Sequence, residues 1–464
     1  MYLADRAAPA REETAEGAGR GRVPAIPAVV LALGAVSLVT DISSEMVTAV
    51  LPLYLVAGLG LSPLGFGTLD GVYNGVSALV QLTGGHLADR VRNHKLVAGI
   101  GYGLSAVCKP LLLVVHSLGP LGAVLALERT GKGLRTSPRD ALISLSTPPE
   151  HRGRAFGVHR AMDTTGAVLG PFTAFLILRA ATDGYDAVFG VSACVAVLGV
   201  LILVLFVPGN GQPPGGRNLT AGQRPAGEKP ARERAASGET GSTTSGGSDG
   251  RGGGGKGGDA DHPAGAPRVD LRTALALLRL PRLRALTACA VLLGLTTVSD
   301  AFVYLLLQRR AGIGEQYFPL LPLGTAAVFL LLAVPCGVLA DRVGRRVVFL
   351  AGHAGLLAAY GLLLWAPSAG ALPFLVLALH GVFYAATDGV LPAAVADVVP
   401  EHFRGSGLAL VGTGQALARF CCSLAFGAAW TVWGDVPALL GSAIGLKLCA
   451  AVAGAVLRPA AAAR

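Results

Sequence analysis

Charge is scarce in this 464-residue chain. Asp, Glu, Lys and Arg together make up 14% of it, where a soluble domain carries roughly a quarter. With 52% hydrophobic residues and a mean hydropathy of +0.58, the composition excludes an ordinary water-soluble globule and implies a polytopic membrane protein. The seven cysteines, Cys108, Cys194, Cys289, Cys336, Cys421, Cys422 and Cys449, all fall in apolar runs and share no metal-ligand spacing. Neither a disulfide framework nor a metal site is expected, and no cofactor. There is no GxxxxGK[ST] phosphate loop and no HExxH pair, which excludes a P-loop ATPase and a zinc peptidase of that type. The first 25 residues mix Arg6, Glu12, Glu13, Glu16 and Arg20 with small residues, and the apolar run behind them lacks a cleavage site. A tail is expected there, not a leader.

What is present is a series of apolar runs of about 20 residues, a length that fits spanning helices better than barrel strands. Six are read at Pro27 to Leu55, Pro63 to Ala88, Leu96 to Val115, Leu118 to Ser144, Ala155 to Leu178 and Ala187 to Val207. Six more follow at Leu286 to Leu307, Phe318 to Ala340, Val347 to Trp365, Leu372 to Val399, Gly405 to Trp430 and Pro437 to Leu457. The expected organisation is a disordered tail (1–25), a six-helix bundle (26–207), a Gly, Ser and Pro-rich flexible linker (208–270), a second six-helix bundle (271–458) and a short tail (459–464). The net charge of +10 is distributed as a topology signal, with most Lys and Arg in the tails, the linker and every second loop. The opposite loops hold only Arg179, Arg309 and Arg310, which places both termini in the cytoplasm and leaves no case for a nucleic-acid partner.

The halves repeat one another. GHLADRV at Gly85 to Val91 returns as GVLADRV at Gly337 to Val343, and PEHRG at Pro149 to Gly153 returns as PEHFRG at Pro400 to Gly405. Two unrelated strings returning at nearly one offset indicate an internal repeat, and repeats of this kind place a binding site between the halves near mid-bilayer. With these residues the chain resembles the major facilitator superfamily. The family's loop motif GxLADRxGRR stands complete at Gly337, Leu339, Ala340, Asp341, Arg342, Gly344, Arg345 and Arg346. The first copy keeps Gly85, Asp89 and Arg90 but has Arg92 and Asn93 where the family has Gly and Arg. The resemblance implies an all-α membrane protein of twelve transmembrane helices in two six-helix pseudo-repeats with a central cavity. It also implies a conformational latch at the two motif copies. Mechanically, Gly85 and Gly337 are expected to let helices approach closely. GAVLGP at Gly166 to Pro171 resembles the core of an antiporter motif; Gly166 and Gly170 form one small face and Pro171 bends the helix. DISSEM at Asp41 to Met46, RTGKGLRT at Arg129 to Thr136 and RGRAFGVHRAMDT at Arg152 to Thr164 resemble a bacterial and archaeal subgroup of the same superfamily.

The most charged apolar span is the fourth. On a helix, Glu128, Lys132, Arg135 and Arg139 fall in a stripe of about 60°, with Arg129 to one side. The stripe is expected to face the N-terminal bundle or the central cavity. Asp41 and Glu45 share a face of the first helix, and His159 and Asp163 a face of the fifth, beside Arg160. A carboxylate that titrates in a cavity is what proton coupling needs. The resemblance links a fourth-span Arg to coupling, and Arg129 is its nearest match. The alternative is that these groups are locked in structural ion pairs. At the repeat offset Arg129, Lys132, Arg135 and Arg139 map onto His380, Phe383, Ala386 and Val390, so the second half drops the charges. It offers Asp300, Asp388, Arg419 and aromatics such as Phe302, Tyr304, Phe383 and Tyr384 instead. Lys447 is a further charge near the middle of the last span.

The expected function is secondary transport of a small organic solute across the cell membrane by alternating access, with protons as coupling ion, export slightly favoured and a monomer as the working unit. Asp41, Glu45, Arg129 and Lys132 are expected to line the cargo site. The first alternative is uptake of an anionic metabolite or metal chelate on the positive stripe. A receptor or membrane-embedded enzyme is the remote one.

Overall fold

The computed structural model describes residues 26–90, 94–148, 152–207, 276–367, 370–400 and 403–457. The expected linker, both expected tails and the turn with Arg92 and Asn93 lie outside the described residues. The first half holds α1 (Ala28–Leu53), α2 (Pro63–Arg90), α3 (His94–Leu111), α4 (Leu118–Leu145), α5 (Arg152–Ala180) and α6 (Gly184–Phe206). The second holds α7 (Pro281–Gly294), α8 (Asp300–Ala311), α9 (Leu320–Val343), α10 (Arg345–Trp365), α11 (Leu372–Thr387), α12 (Val390–Val398), α13 (Arg404–Trp433) and α14 (Asp435–Val456). Helix is the local solution because lipid offers no hydrogen-bond partner to an open backbone. The described residues form twelve membrane-crossing segments, of which α7 with α8 makes the seventh and α11 with α12 the tenth.

Both of those segments differ from the continuous spans expected at Leu286 to Leu307 and Leu372 to Val399. The seventh is interrupted at 295–299, between α7 and Asp300, and the tenth at Asp388 and Gly389. Broken backbone at membrane depth is tolerated where it is buried in protein or lines a cavity. Here the amide of Val298 donates to the Tyr360 hydroxyl at 2.9 Å, and a carboxylate stands at each break. Apolarity alone could not reveal the breaks, because Leu, Val and Ala run on through both sides of them.

Glycine decides how closely the helices approach. A Cβ built on Gly166 would stand 2.5 Å from the Leu38 carbonyl oxygen, and one on Gly170 2.8 Å from Glu45 Cβ. Only hydrogen fits at these two positions, so α5 lies against α1 along the GAVLGP face, with Pro171 inside the helix. The halves meet along α2 and α13. A Cβ on Gly427 would stand 2.5 Å from the Pro63 carbonyl oxygen; the amide of Leu64 donates to Thr431 Oγ1 at 2.9 Å, and Ser423 Oγ donates to Asp70 Oδ2 at 2.7 Å. A second contact joins the same end of the molecule. There the Tyr185 hydroxyl donates to Glu315 at 3.0 Å, and the Phe175 and Tyr317 rings lie 5.7 Å apart. These contacts bring the halves together at the end opposite the one where residues 26 and 457 lie.

At the other end, one residue joins α9 to α10. Gly344 has φ of +97° and ψ of 134°, a conformation that side chains with a Cβ rarely adopt. Gly344→Ala is expected to destabilise the fold by about 1–3 kcal/mol, measured as a lowered unfolding midpoint of the purified protein in detergent. An unchanged midpoint would show that the turn relaxes freely.

Candidate functional site

The charged stripe of α4 is turned into the N-terminal bundle. Glu128 accepts from Lys109 Nζ of α3 at 3.1 Å, Lys132 Nζ donates to Glu45 Oε1 of α1 at 3.1 Å, and Arg135 Nη2 donates to Asp41 Oδ1 of α1 at 3.0 Å. Arg139 reaches Asp140 at 3.1 Å, Asp163 of α5 at 3.4 Å and Ser37 Oγ at 3.3 Å. His159 is fully buried and hydrogen-bonded to Ser37 Oγ at 3.0 Å, and Asp163 is also paired with Arg160 at 3.6 Å. Five cations thus meet five carboxylates along α1, α3, α4 and α5. Each successive pair lies about one helical turn from the last, because positions four apart share a face.

Arg129, off the stripe, does something different. Its guanidinium lies 3.4 Å from the centroid of the Tyr73 ring, donates to Thr48 Oγ1 at 3.4 Å, and has Nε 3.3 Å from Glu128 Oε2. Tyr73 and Thr48 both face the central cavity, so Arg129 sits directly behind its wall.

That cavity, about 380 Å³, lies between the halves. Residues from α1, α2 and α4 form one wall, and residues from α8, α9, α11 and α13, with both helix breaks, form the other. Asp41, Glu45, Arg129 and Lys132 are not among its lining residues, contrary to the expectation that they line the cargo site. The reason is pairing: a buried charge is stable only with a partner, and the α1 acids and α4 cations satisfy one another inside the bundle. Asp70, Tyr73 and Thr48 line the wall in their place.

The C-terminal wall carries the polar chemistry. Asp300, the first residue of α8, accepts from the Tyr384 hydroxyl at 2.6 Å and is hydrogen-bonded to His380 Nε2 at 3.0 Å. Its side chain is 44% exposed, whereas that of His380 is 1% exposed. The carboxylate therefore opens onto the cavity from a buried imidazole behind it. Asp388, at the second break, is exposed to the same space, and Arg419 of α13 faces Asp300, Asp388 and Tyr384. The repeat alignment drew His380 together with Arg129; in the structure each backs one wall of the cavity.

The loop motif is organised within its own half. Asp341 is exposed and stands 3.8 Å from Arg345, which donates to Asp397 and to the Ala393 carbonyl of α12; Arg346 donates to the Gly454 carbonyl of α14. Arg342 is exposed, and a Cβ on Gly337 would meet nothing within 4 Å. The close approach expected at Gly337 is absent in this conformation, in which the halves meet at the other end. The surroundings of Gly85 and the side chains of Asp89 and Arg90 lie outside what is described. Lys447 is exposed on α14, beside the exposed Ile444 and Leu448. A long side chain can carry its ammonium toward the interface from such a position.

Sequence reasoning missed Lys109, Asp70 and Ser423. Lys109 carries a signal, a lone ammonium in an apolar run with no partner nearby in sequence. The Asp70 and Ser423 pairing joins residues on opposite halves, and nothing local announces it.

The comparisons with known proteins agree with this architecture. The model of the Major Facilitator Superfamily matches residues 33–421 and again 285–463. An MFS-type transporter of Methanocaldococcus jannaschii is 27% identical over 429 residues, covering 89% of this chain and 91% of that protein. A Mycobacterium tuberculosis protein is 34% identical over 162 residues, 35% of this chain and 39% of its own length. Among solved structures, the nucleoside transporter NupG superposes with a TM-score of 0.70 at 12% identity, covering 93% of this chain and all of NupG. A bacterial homologue of the human lysosomal transporter Spinster, in an inward-facing, unoccupied conformation, gives 0.66 at 14% identity over 94% of this chain and 98% of its own. Paired six-helix bundles, a cavity between them and a family match across most of the sequence lead to one conclusion: this chain belongs to the Major Facilitator Superfamily and is a membrane transporter, not an enzyme.

Proposed function

We propose that the protein exports a small organic solute across the cell membrane in exchange for protons, by alternating access of one central cavity. The observation that carries this reading is a cavity between the halves whose wall holds carboxylates, Asp300 and Asp388, beside a buried His and an Arg. A carboxylate that opens to water inside a membrane can load and release a proton as the cavity changes sides. The joined ends at α2 and α13 represent one of the two states, and with cytoplasmic termini it is the inward-facing one.

The α1, α4 and α5 ion pairs act in this scheme as the frame that holds the N-terminal bundle rigid while it rocks. Asp41, Glu45, Glu128, Arg129, Lys132, Arg135, Arg139, His159 and Asp163 would then influence coupling through the frame, and Arg129 additionally through Tyr73. Uptake of an anion on the positive stripe is disfavoured, because those cations already have carboxylate partners. The motif at Asp341, Arg342, Gly344 and Arg345 would meet the other half when the cavity closes toward the termini.

The test is flux into vesicles containing the full-length protein, with a pH gradient imposed in each direction and a panel of organic cations, anions and neutral solutes. Accumulation of a solute in an acidic lumen, abolished by a protonophore, is expected for exchange. Accumulation in an alkaline lumen would mean co-transport instead, and accumulation indifferent to the gradient would remove the proton from the reading.

A further inference from the structure

The chain enters its seventh membrane segment through an arginine-rich stretch that the transport cycle above does not use. Residues 277–284 read Leu-Leu-Arg-Leu-Pro-Arg-Leu-Arg, a tight helical turn (Leu277–Arg279) followed by the first turn of α7. Leu277 and Leu283 are buried in the hydrophobic core, and Leu280 packs against it. Leucines three apart thus pin the stretch to the protein, while Arg279, Arg282 and Arg284 stand exposed. No hydrogen bond or ion pair engages these three guanidinium groups among the described residues, and residues 271–299 contain no Asp or Glu. Other cations at the same end are used inside the protein. Lys95 donates to the Val204 and Val207 carbonyls where α6 closes, Arg345 pairs with Asp397, and Arg346 donates to the Gly454 carbonyl.

The depth of the stretch in the membrane follows from the helix behind it. α7 has 14 residues, so it rises about 21 Å from Pro281 to the break at 295–299. Thr297, Val298 and Ser299 of that break line the central cavity, which such repeats place near mid-bilayer. The hydrocarbon ends about 15 Å from the bilayer centre and the headgroups about 20–22 Å from it. Counting back from the break therefore sets Arg282 and Arg284 at the level of the lipid phosphates, with Arg279 just beyond them.

We infer that Arg279, Arg282 and Arg284 form a docking surface for anionic lipid headgroups of the adjacent leaflet, which hold the start of the seventh segment at the membrane surface. A guanidinium matches phosphate with paired N–H donors, and the phosphate of an anionic lipid carries no ammonium of its own to offset the attraction. The leucines hold the backbone in place, so little is lost in ordering the arginines. Because α7 is a short rod between this surface and the break, fixing its start also fixes the depth at which Asp300 begins α8.

The test is native mass spectrometry of the full-length protein in detergent, equilibrated with equal amounts of phosphatidylglycerol and phosphatidylcholine bearing the same acyl chains. A basic residue near an anionic surface is worth roughly fivefold in binding. The retained ratio of phosphatidylglycerol to phosphatidylcholine is therefore expected to fall at least fivefold when Arg279→Gln, Arg282→Gln and Arg284→Gln are combined, and severalfold for Arg282→Gln alone. The corresponding triple replacement by Lys should keep most of the preference, since the charge remains. Arg342→Gln, which removes an exposed cation of the same end outside the stretch, should keep all of it. Every variant should unfold at the wild-type temperature in phosphatidylcholine alone. An unchanged ratio in the Gln triple would overturn the inference. So would equal loss in Arg342→Gln, the mark of diffuse surface charge, or equal loss in the Lys triple, the mark of a packing effect. Displacement of phosphatidylglycerol by millimolar inorganic phosphate would assign the surface to a soluble anion and overturn it as well.

Discussion

Replacing Arg135 by Met is expected to destabilise the folded protein by about 3–5 kcal/mol, the range for removing one partner of a buried ion pair. Arg135 and Asp41 have side chains only 4% and 12% exposed, at 3.0 Å. Met fills much of the Arg volume but leaves the Asp41 carboxylate facing Lys132 and Asp163 without its nearest cation. The double replacement Asp41→Leu with Arg135→Met removes both charges and should recover most of the loss, because paired apolar residues of similar volume are often neutral or better. The measurement is the unfolding midpoint and the monodisperse fraction in detergent for both singles and the double. A double variant as unstable as Arg135→Met would mean that the pair stabilises by more than mutual compensation. Flux through a well-folded double variant then decides the pair's other role: retained proton-driven transport assigns it to the frame, and lost transport assigns it to coupling.

Asp300→Asn is expected to bring gradient-driven flux down to the level of protein-free vesicles while the protein remains folded. Asn keeps the size and can still accept from the Tyr384 hydroxyl, which now stands at 2.6 Å, but it cannot carry a proton on and off. Exchange of cargo across the membrane without a gradient should survive at a reduced rate if the conformational cycle itself is intact. His380→Gln, which leaves the carboxylate in place, should have the smaller effect. Undiminished proton-driven accumulation by the Asn variant would move the proton site away from Asp300, to the half-buried Glu45 and Lys132 pair or to Asp388.

Much of the architecture was legible because lipid imposes a simple rule on sequence: long apolar runs become helices, and two returning strings mark the repeat. The α4 stripe was legible for the same periodic reason, since residues 128, 132, 135 and 139 must share a face on any α-helix. Its orientation was not. The sequence left both the bundle interior and the cavity open, and the choice rests on where Asp41, Glu45, Lys109 and Asp163 stand on neighbouring helices. The breaks at 295–299 and at Asp388 were hidden as well. Hydropathy does not register a kinked backbone, and the partner that satisfies Val298, Tyr360, is 62 residues away.

By itself the sequence determined the twelve apolar segments, the paired halves, the small face of GAVLGP and the identity of the charged residues. Those follow from local periodicity and from what a bilayer excludes. Only the tertiary structure decided which charges neutralise one another and which look into the cavity. A charge in a low-dielectric interior is fixed by its partners on other helices, and partnership across the fold is not written in the spacing along one of them. The cations of α4 pair with acids of α1 and α5, and Asp300 and Asp388 are left lining the space between the halves.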